Sequence, residues 1–366
     1  MLLVAAGTPS CADDDVKSSS SSGGATATGG AATHEGGSAE AGAGAAPGSD
    51  GGAASHVASK FTVEVLPIDP KGDADPASLW WSDAGEYLLV ADNRSNRIWK
   101  WEPGGDFTLY ATTSGLPADP QATATTASRD SVGQLVELAD GTVVVVRFGF
   151  GTHSSVLWVD PTSGAQGMLP GLEPTRRRIS LLYTTDGSLF GGYFAFGAEN
   201  QRIGAITRLA WEPGAAAGGA AGEGGAGGAA STSAESDFAT QFLKPVGLLE
   251  MGDSLLAVDQ DRNVIYKLPK AADAPLTEPY EVYASVQAPD QLAHGPDGSV
   301  FTGQFRPATQ SGTLAIRQVF PDGGVAVLED GLTKPSGLAY DAHGKRLFVA
   351  DSNGTSVRTV RVYTLE

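Results

Sequence analysis

The chain has 366 residues, and 42 acidic against 24 basic side chains give it a formal net charge of −18. This excess argues against nucleic acid and anionic lipid as partners, because both bind basic patches, and it suits a soluble surface. The single cysteine, Cys11, lies at the start of the chain. An intrachain disulfide is therefore excluded, and so are a cysteine zinc site and a thiol nucleophile in the later, apolar part.

Residues 1–11, MLLVAAGTPSC, resemble the end of a bacterial lipoprotein signal, with Cys11 as the lipidated residue. No basic residue precedes the apolar run and Thr8 stands where Leu is usual, so an ordinary N-terminus with a chance cysteine is the alternative. Residues 12–60 are rich in Gly, Ala and Ser, with no aromatic residue, Leu or Ile. Such a segment buries too little apolar surface to fold and predicts a disordered linker. We expect an extracytoplasmic protein, either lipid-anchored in a bacterial envelope or secreted.

From residue 61 to residue 366 one frame recurs: an apolar anchor, a Gly about six positions later, and then an apolar strand. The anchors are Leu79, Leu135, Leu181, Leu248, Leu292 and Leu338. Apolar alternation predicts three or four strands per unit, and no stretch has a capped helical period. Four-stranded units that repeat at this spacing are typical of propeller blades.

The prediction is one all-β domain at residues 61–366, a six-bladed β-propeller, in which residues 214–236 are a disordered loop insertion. The sixth unit ends after three strands, whereas the strand Phe61–Pro67 precedes the first unit without a partner. We expect this strand to pair into the sixth blade, because that pairing removes an exposed sheet edge.

The segment Asp92–Ile98, DNRSNRI, is similar to the turn of the six-bladed NHL-repeat and gluconolactonase/senescence-marker propellers, and Asp259–Ile265 and Asp351–Asn353 repeat it in part. The resemblance implies the propeller fold. For gluconolactonase-like enzymes it also implies hydrolysis of lactones or esters with one divalent cation, calcium or zinc, in the central channel.

In those enzymes a Glu, an Asn and an Asp hold the metal. Carried over by position, the Asp falls on Asp290, whereas the Glu and the Asn fall on Ala77 and Val246. One carboxylate does not hold a hard cation that takes six to eight oxygens. Only a shifted alignment, through Asp73, Asp75 or Asp83, would restore a ligand set.

Four residues near the starts of inner strands are ligand-binding candidates: Asp290, Gln291, Arg178 and Ser336. Asp290 is also the metal candidate, and its alternative role is to cap a turn. Arg178 belongs to the run Arg176–Arg178, in which alternation puts Arg176 and Arg178 on one side. It would bind a carboxylate or phosphate, or it forms ion pairs with surface acids. No catalytic residue is identified.

Other patterns favour structure over chemistry. Asp92, Asp259 and Asp351 occupy positions that Phe148, Phe194 and Phe305 take in other units, which indicates Asp caps on the following turn. The segment Gly252–Leu255 matches the signature of GDSL esterases by chance, because it lies between strands. His153, His294 and His343 have different offsets and do not predict a metal site.

These features predict a monomeric binding module for a small ligand or a protein partner. It would bind no nucleic acid and would contact the membrane only through a lipid anchor. A gluconolactonase-like hydrolase with a divalent metal near Asp290 is the alternative. The apolar residues at two of the three ligand positions favour the binding module.

Overall fold

The structure is a computed structural model. It describes residues 56–68, 74–93, 96–113, 132–148, 154–198, 201–211, 234–272, 275–306, 313–352 and 358–366. These residues belong to the second of two units, residues 53–366. The predicted lipidation site Cys11, most of the predicted linker and most of the predicted insertion lie outside them, so these assignments stay predictions.

The described chain forms six four-stranded antiparallel sheets. Blade 1 contains β2 (Pro76–Ser82), β3 (Tyr87–Asp92), β4 (Arg97–Trp101) and β5 (Thr108–Thr112). Blade 2 contains β6 (Val132–Glu137), β7 (Val143–Arg147), β8 (Ser155–Val159) and β9 (Gln166–Met168). Blade 3 contains β10 (Arg177–Tyr183), β11 (Leu189–Phe196), β12 (Arg202–Leu209) and β13 (Glu235–Phe242).

Blade 4 contains β14 (Pro245–Met251), β15 (Ser254–Asp259), β16 (Val264–Pro269) and β17 (Glu281–Ser285). Blade 5 contains β18 (Pro289–His294), β19 (Val300–Gln304), β20 (Leu314–Val319) and β21 (Val325–Leu332). Blade 6 contains β22 (Pro335–Asp341), β23 (Arg346–Ser352), β24 (Arg358–Leu365) and the N-terminal strand β1 (Phe61–Pro67). No helix in these ranges is long and apolar enough to cross a membrane.

The closing strand predicted from the sequence is confirmed. β1 pairs with β24 along its whole length, from Phe61 opposite Leu365 to Pro67 opposite Thr359. The two ends of the domain therefore lie in one sheet, and the outer edge of β24 is covered.

The first strands of the blades, β2, β6, β10, β14, β18 and β22, contact one another in a closed ring around a central channel. We call the end where these inner strands begin the upper end and the end where they finish the lower end. Buried apolar residues form clusters between neighbouring blades, and each anchor leucine belongs to one of them. The repeated sequence pattern therefore reflects packing between blades, because each blade buries its apolar faces only against its neighbours.

The turns at the lower end have three lengths, and blade 4 has the shortest, in which Leu248 pairs with Ala257, nine residues on. In blade 1 the anchor Leu79 pairs with Val90, eleven residues on, whereas in blade 2 Leu135 pairs with Val145, ten residues on. The left-handed backbone position is Gly141 in the turn of blade 2 (φ 85°) and Glu86 in the longer turn of blade 1 (φ 53°). Glycine suits this conformation because it has no Cβ.

This difference corrects the predicted match between Asp and Phe positions. Asp92 stands opposite Pro76, the first residue of its inner strand, but Arg147 and Gln304 occupy the equivalent places in blades 2 and 5. Phe148 and Phe305 follow one residue later. Counting from the anchors misses this shift because it assumes turns of equal length.

Residues 56–60 lie against the lower end of blade 5, where β20 finishes. The backbone N–H of Ser59 donates to Gln318 Oε1 (2.9 Å), and His56 stacks on Phe320 (ring centroids 4.4 Å apart). His56 Nε2 also lies 3.0 Å from Asp322 Oδ2. The polypeptide therefore joins the propeller from its lower end.

Candidate functional site

Six positions, each two residues before an anchor leucine, surround the upper end of the channel. They are occupied by Ala77, Gly133, Ile179, Val246, Asp290 and Ser336. Only two of the six are polar, and they belong to the neighbouring blades 5 and 6. Ser336 Oγ is buried without a hydrogen-bond partner among the described residues. The polar side chains at the upper end of the channel therefore lie on one side of the ring.

Asp290 is buried, with 8% of its surface exposed. Burial raises the pKa of its carboxyl group to about 6, against the opposing effects of Lys244, Lys334 and the Gln291 amide. Its own backbone N–H donates to Thr302 Oγ1 (3.3 Å). No described cation approaches its carboxylate within the 4.0 Å of an ion pair, so this charge is only partly compensated.

The pKa of Lys244 is shifted in the opposite direction. Burial lowers the pKa of its ammonium to about 8, and Arg202 and Arg177 act in the same direction, whereas Asp290 opposes them. Its Nζ donates to Gln260 Oε1 (2.6 Å) and lies 4.5 Å from the centre of the Phe305 ring. A buried acid and a partly buried base on adjacent blades, with pKa values moved toward neutrality, mark a candidate binding site.

The two lysines beside Asp290 are held by the Asp residues that the sequence marked. The backbone N–H of Lys244 donates to Asp259 Oδ1 (3.2 Å), and that of Lys334 donates to Asp351 Oδ1 (3.0 Å). In blade 1, Asp92 accepts from Asp75 N in the same way (2.9 Å). Asp92, Asp259 and Asp351 therefore cap backbone N–H groups, as predicted. The N–H groups that they cap lie just before the inner strand of the blade, whereas the prediction placed them in the turn after the second strand.

Gln291 bridges the channel. Its Nε2 donates to the carbonyl of Ala77 (2.9 Å), which links blade 5 to blade 1. Glycines let the inner strands approach closely at this level: a Cβ on Gly247 would lie 2.6 Å from the Asp290 carbonyl oxygen, and one on Gly337 would lie 2.8 Å from Ser78 Cα. The channel is therefore narrow below Asp290, and the Gln291 amide already has a protein partner.

Arg178 is enclosed in blade 3. Its Nη2 lies 2.7 Å from Glu235 Oε1, and its Nη1 donates to the carbonyls of Ser154 and Arg176 (3.0 Å each). Arg176 also lies 3.4 Å from Glu235, which confirms that Arg176 and Arg178 share one side. The role of Arg178 as a ligand-binding residue stays a prediction, since protein acceptors surround its guanidinium.

Cations and exposed apolar side chains cover the upper face of blades 3 to 5. Arg202 lies 2.5 Å from Asp261, which is 3.8 Å from Arg306. Phe196 and Phe305 expose 44% and 43% of their surface. This surface offers both charge and apolar area beside Lys244.

No metal site is present among the described residues, where no three His, Cys, Asp or Glu side chains converge. Asp75 contacts Asp92, and Asp83 lies at the lower end. Asp73 and His153 lie outside the described residues.

Lys244 and Lys334 were not among the site residues predicted from the sequence. The signal was the dipeptide Lys-Pro, whose proline begins the inner strand in each of the two blades on either side of the blade that carries Asp290.

No protein-family profile matches the chain, and no curated protein sequence matches it. Solved structures do. A gluconolactonase from Xanthomonas campestris is 15% identical, with a TM-score of 0.58, over 84% of this chain and 90% of its own. Regucalcin from Agrobacterium tumefaciens, a calcium-binding protein, is 14% identical, with a TM-score of 0.57, over 85% and 98%. Virginiamycin B lyase from Staphylococcus aureus is 14% identical, with a TM-score of 0.52, over 84% and 100%. At these identities the likeness concerns the fold alone: this chain is a six-bladed β-propeller of the architecture that gluconolactonase-like and lyase propellers share.

Proposed function

We propose that this protein is a non-catalytic binding module that takes a small anionic ligand with an apolar body at the upper end of its channel. Two lysines, Lys244 from blade 4 and Lys334 from blade 6, flank one buried carboxylate on blade 5, and this arrangement carries the proposal. Two ammonium groups against one carboxylate leave a positive excess beside a low-dielectric wall. Such a site attracts a carboxylate or phosphate group.

The surroundings of the lysines support an apolar body on the ligand. The Phe305 ring packs beside Lys244 Nζ and is partly exposed. Ser336 Oγ supplies an unused hydroxyl group at the same end of the channel. Small-molecule sites combine apolar walls with a few polar groups that fix orientation.

Hydrolysis with a divalent metal is the second candidate, because a propeller with the same architecture is a gluconolactonase. Asp290 stands where the gluconolactonase resemblance places one metal-binding carboxylate. The other two positions hold the alkyl side chains of Ala77 and Val246, and neighbouring positions hold Gly133 and Ile179. These residues do not fit a divalent cation, which takes several oxygen ligands.

Benzoate and benzyl alcohol are a matched anionic and neutral pair of probes for calorimetric titration. We expect benzoate to bind and benzyl alcohol to bind at least tenfold more weakly. Lys244→Met should abolish the difference, whereas Lys267→Met, on the outer part of the same blade, should preserve it. Equal affinities for both probes would refute the anion site. Stabilisation by calcium together with lactone hydrolysis would favour the hydrolase.

The pH dependence of benzoate binding is set by Asp290 and Lys244, the two groups whose pKa values are shifted. Protonation of Asp290, whose pKa is about 6, removes a repulsive charge, so affinity should rise as the pH falls from 8 to 5. Loss of the Lys244 proton, near a pKa of about 8, should weaken binding above pH 8. In Asp290→Asn the rise between pH 7 and pH 5 should be absent, whereas the weakening above pH 8 should remain.

We also propose anchoring through lipidated Cys11. The described chain reaches the propeller at its lower end, through His56 and Ser59. Labelling with a fatty-acid analogue tests this: the wild type should incorporate it and Cys11→Ser should not, and equal labelling of both would exclude the anchor.

A further inference from the structure

The lower end of the channel differs in chemistry from the upper end. Each blade has one aspartate at the lower end of its first two strands, in the turn between them or, for Asp341, at the last residue of the inner strand: Asp83, Asp140, Asp186, Asp253, Asp297 and Asp341. Two of them are ion-paired, Asp186 with Lys270 (3.1 Å) and Asp341 with Arg346 (2.6 Å). The other four have no ion pair among the described residues. The lower mouth of the channel is therefore acidic.

A cavity of about 290 Å³ opens at this mouth and reaches all six inner strands. Its lining includes the anchor leucines, and nearer the mouth it includes Trp80, Tyr183 and Tyr340, all of them partly exposed. This volume lies near the lower limit of small-molecule sites, about 300 Å³.

Two carboxylates face this cavity from opposite sides of the ring. Asp83 belongs to blade 1 and Glu250 to blade 4, three blades away. Glu250 is fixed, because it accepts from Lys270 Nζ (2.5 Å) and from Thr185 N (2.7 Å). Asp83 has no ion-pair partner in the described chain. Glu250 is therefore held in place by protein partners, whereas Asp83 is available to a bound cation.

The remaining blades supply aromatic and neutral groups. Tyr183 of blade 3 and Tyr340 of blade 6 are also three blades apart, and His294 of blade 5 lies in the same lining. Partial desolvation lowers the pKa of His294, against the influence of Glu250 and Asp83, and this favours the neutral ring. Lys270 is held by Glu250 and Asp186, and the described side chains of the lining include no lysine or arginine.

We propose that this lower cavity binds a small organic ammonium ion, whose charge lies against Asp83 and Glu250 and whose apolar body contacts Trp80, Tyr183 and Tyr340. Aromatic faces attract cations through their quadrupole, and opposed carboxylates add a charge that a neutral ligand does not use. An anion meets the acidic mouth first and is repelled. The site is separate from the one at the upper end and does not depend on it.

Benzylammonium and tetramethylammonium are the probes, titrated into the full-length protein by calorimetry at constant ionic strength. Both should bind, with benzyl alcohol at least tenfold weaker. Asp83→Asn, in an exposed turn, should weaken both cations at least tenfold. Asp253→Asn removes an aspartate from the same mouth outside the cavity lining and should change neither affinity by more than twofold.

Three outcomes would overturn the proposal. Benzyl alcohol and benzylammonium could bind equally, Asp83→Asn could retain wild-type affinity, or calcium could bind and displace both probes. Tyr340→Ala provides a second variant: it should weaken tetramethylammonium more than benzyl alcohol. Thermal melts of each variant without probe separate a lost site from a lost fold.

Discussion

Asp290 should reduce the stability of the fold that it serves. Its folded pKa of about 6 lies above the value near 3.8 of an exposed aspartate, so folded protein binds its proton more tightly than unfolded protein does. The resulting destabilisation is absent below pH 4, develops between pH 4 and pH 6, and is complete above it. A carboxylate retained at this cost fits a binding role, since functional groups are often unfavourable for stability.

Asp290→Asn should therefore stabilise the domain by about 3 kcal/mol at pH 8, which corresponds to a shift of about two pKa units. At pH 3, below both pKa values, the variant and the wild type should unfold at the same denaturant concentration. Urea denaturation at both pH values measures the difference. Asp253→Asn, on an exposed turn, is the control and should change stability by less than about 0.5 kcal/mol. Equal stability of Asp290→Asn and wild type at pH 8 would contradict the buried charge.

The Arg178–Glu235 pair makes a second residue-level prediction. Arg178→Met leaves Glu235 buried beside Arg176 alone and should lower the free energy of unfolding by about 3 to 5 kcal/mol. Arg178→Met combined with Glu235→Leu should recover most of this loss, because no charge then lacks its partner. If the single variant loses less than about 1 kcal/mol, the pair is not structural. Arg178 would then be available as the ligand-binding residue that the sequence suggested.

These two residues show how far the sequence predicts the site. Asp290 could be placed at the channel because it lies two residues before an anchor leucine. The partner of Arg178 could not be found, because Glu235 follows a long Gly/Ala segment and reaches blade 3 only through the pairing of β13 with β12. The lysines beside Asp290 were missed because their proximity depends on the closed ring rather than on separation along the chain.

At the scale of elements, the fold followed from local signals almost completely. The alternation in β24 and the orphan strand β1 predicted one sheet, and the register from Phe61 to Pro67 confirms it. What the sequence missed was the extra residue in the lower turn of blade 1, which moves the left-handed position from the Gly to Glu86. One residue in a turn changes no hydrophobic pattern, so periodicity does not detect it.

Removal of β1 should damage the whole ring. A chain that starts at residue 56 should melt as the full-length protein does, whereas one that starts at residue 69 leaves the edge of β24 unpaired. We expect the melting temperature to fall by about 10 °C or more, since a loss of 1 kcal/mol shifts a domain of this size by about 2 °C or more. The exposed edge should also promote association. A peptide of residues 56–68 added in trans should restore the monomer. A shorter chain that is monomeric and unchanged in melting temperature would show that β1 does not close the fold.

At the scale of the whole molecule, the channel has two ends of opposite preference. The upper end presents Lys244 and Lys334 around one acid, and the lower end presents a ring of aspartates around an aromatic cavity. Between them lies the Gln291–Ala77 bridge, at the level where glycines bring the inner strands together. A propeller permits this polarity because each inner strand brings its first residues to one end and its last residues to the other.

Benzoate and benzylammonium should therefore bind together without competition. If the two sites are independent, the stabilisation from both probes equals the sum of the separate stabilisations, and the affinity for one probe does not change when the other is saturating. Thermal melts and calorimetric titrations in the presence of the second probe measure this. Gln291→Ala removes the bridge and leaves the charged groups at both ends, so any coupling that develops only in this variant must pass through the channel. Competition in the wild type would mean that both probes occupy one site, and it would refute the assignment of two chemically distinct ends.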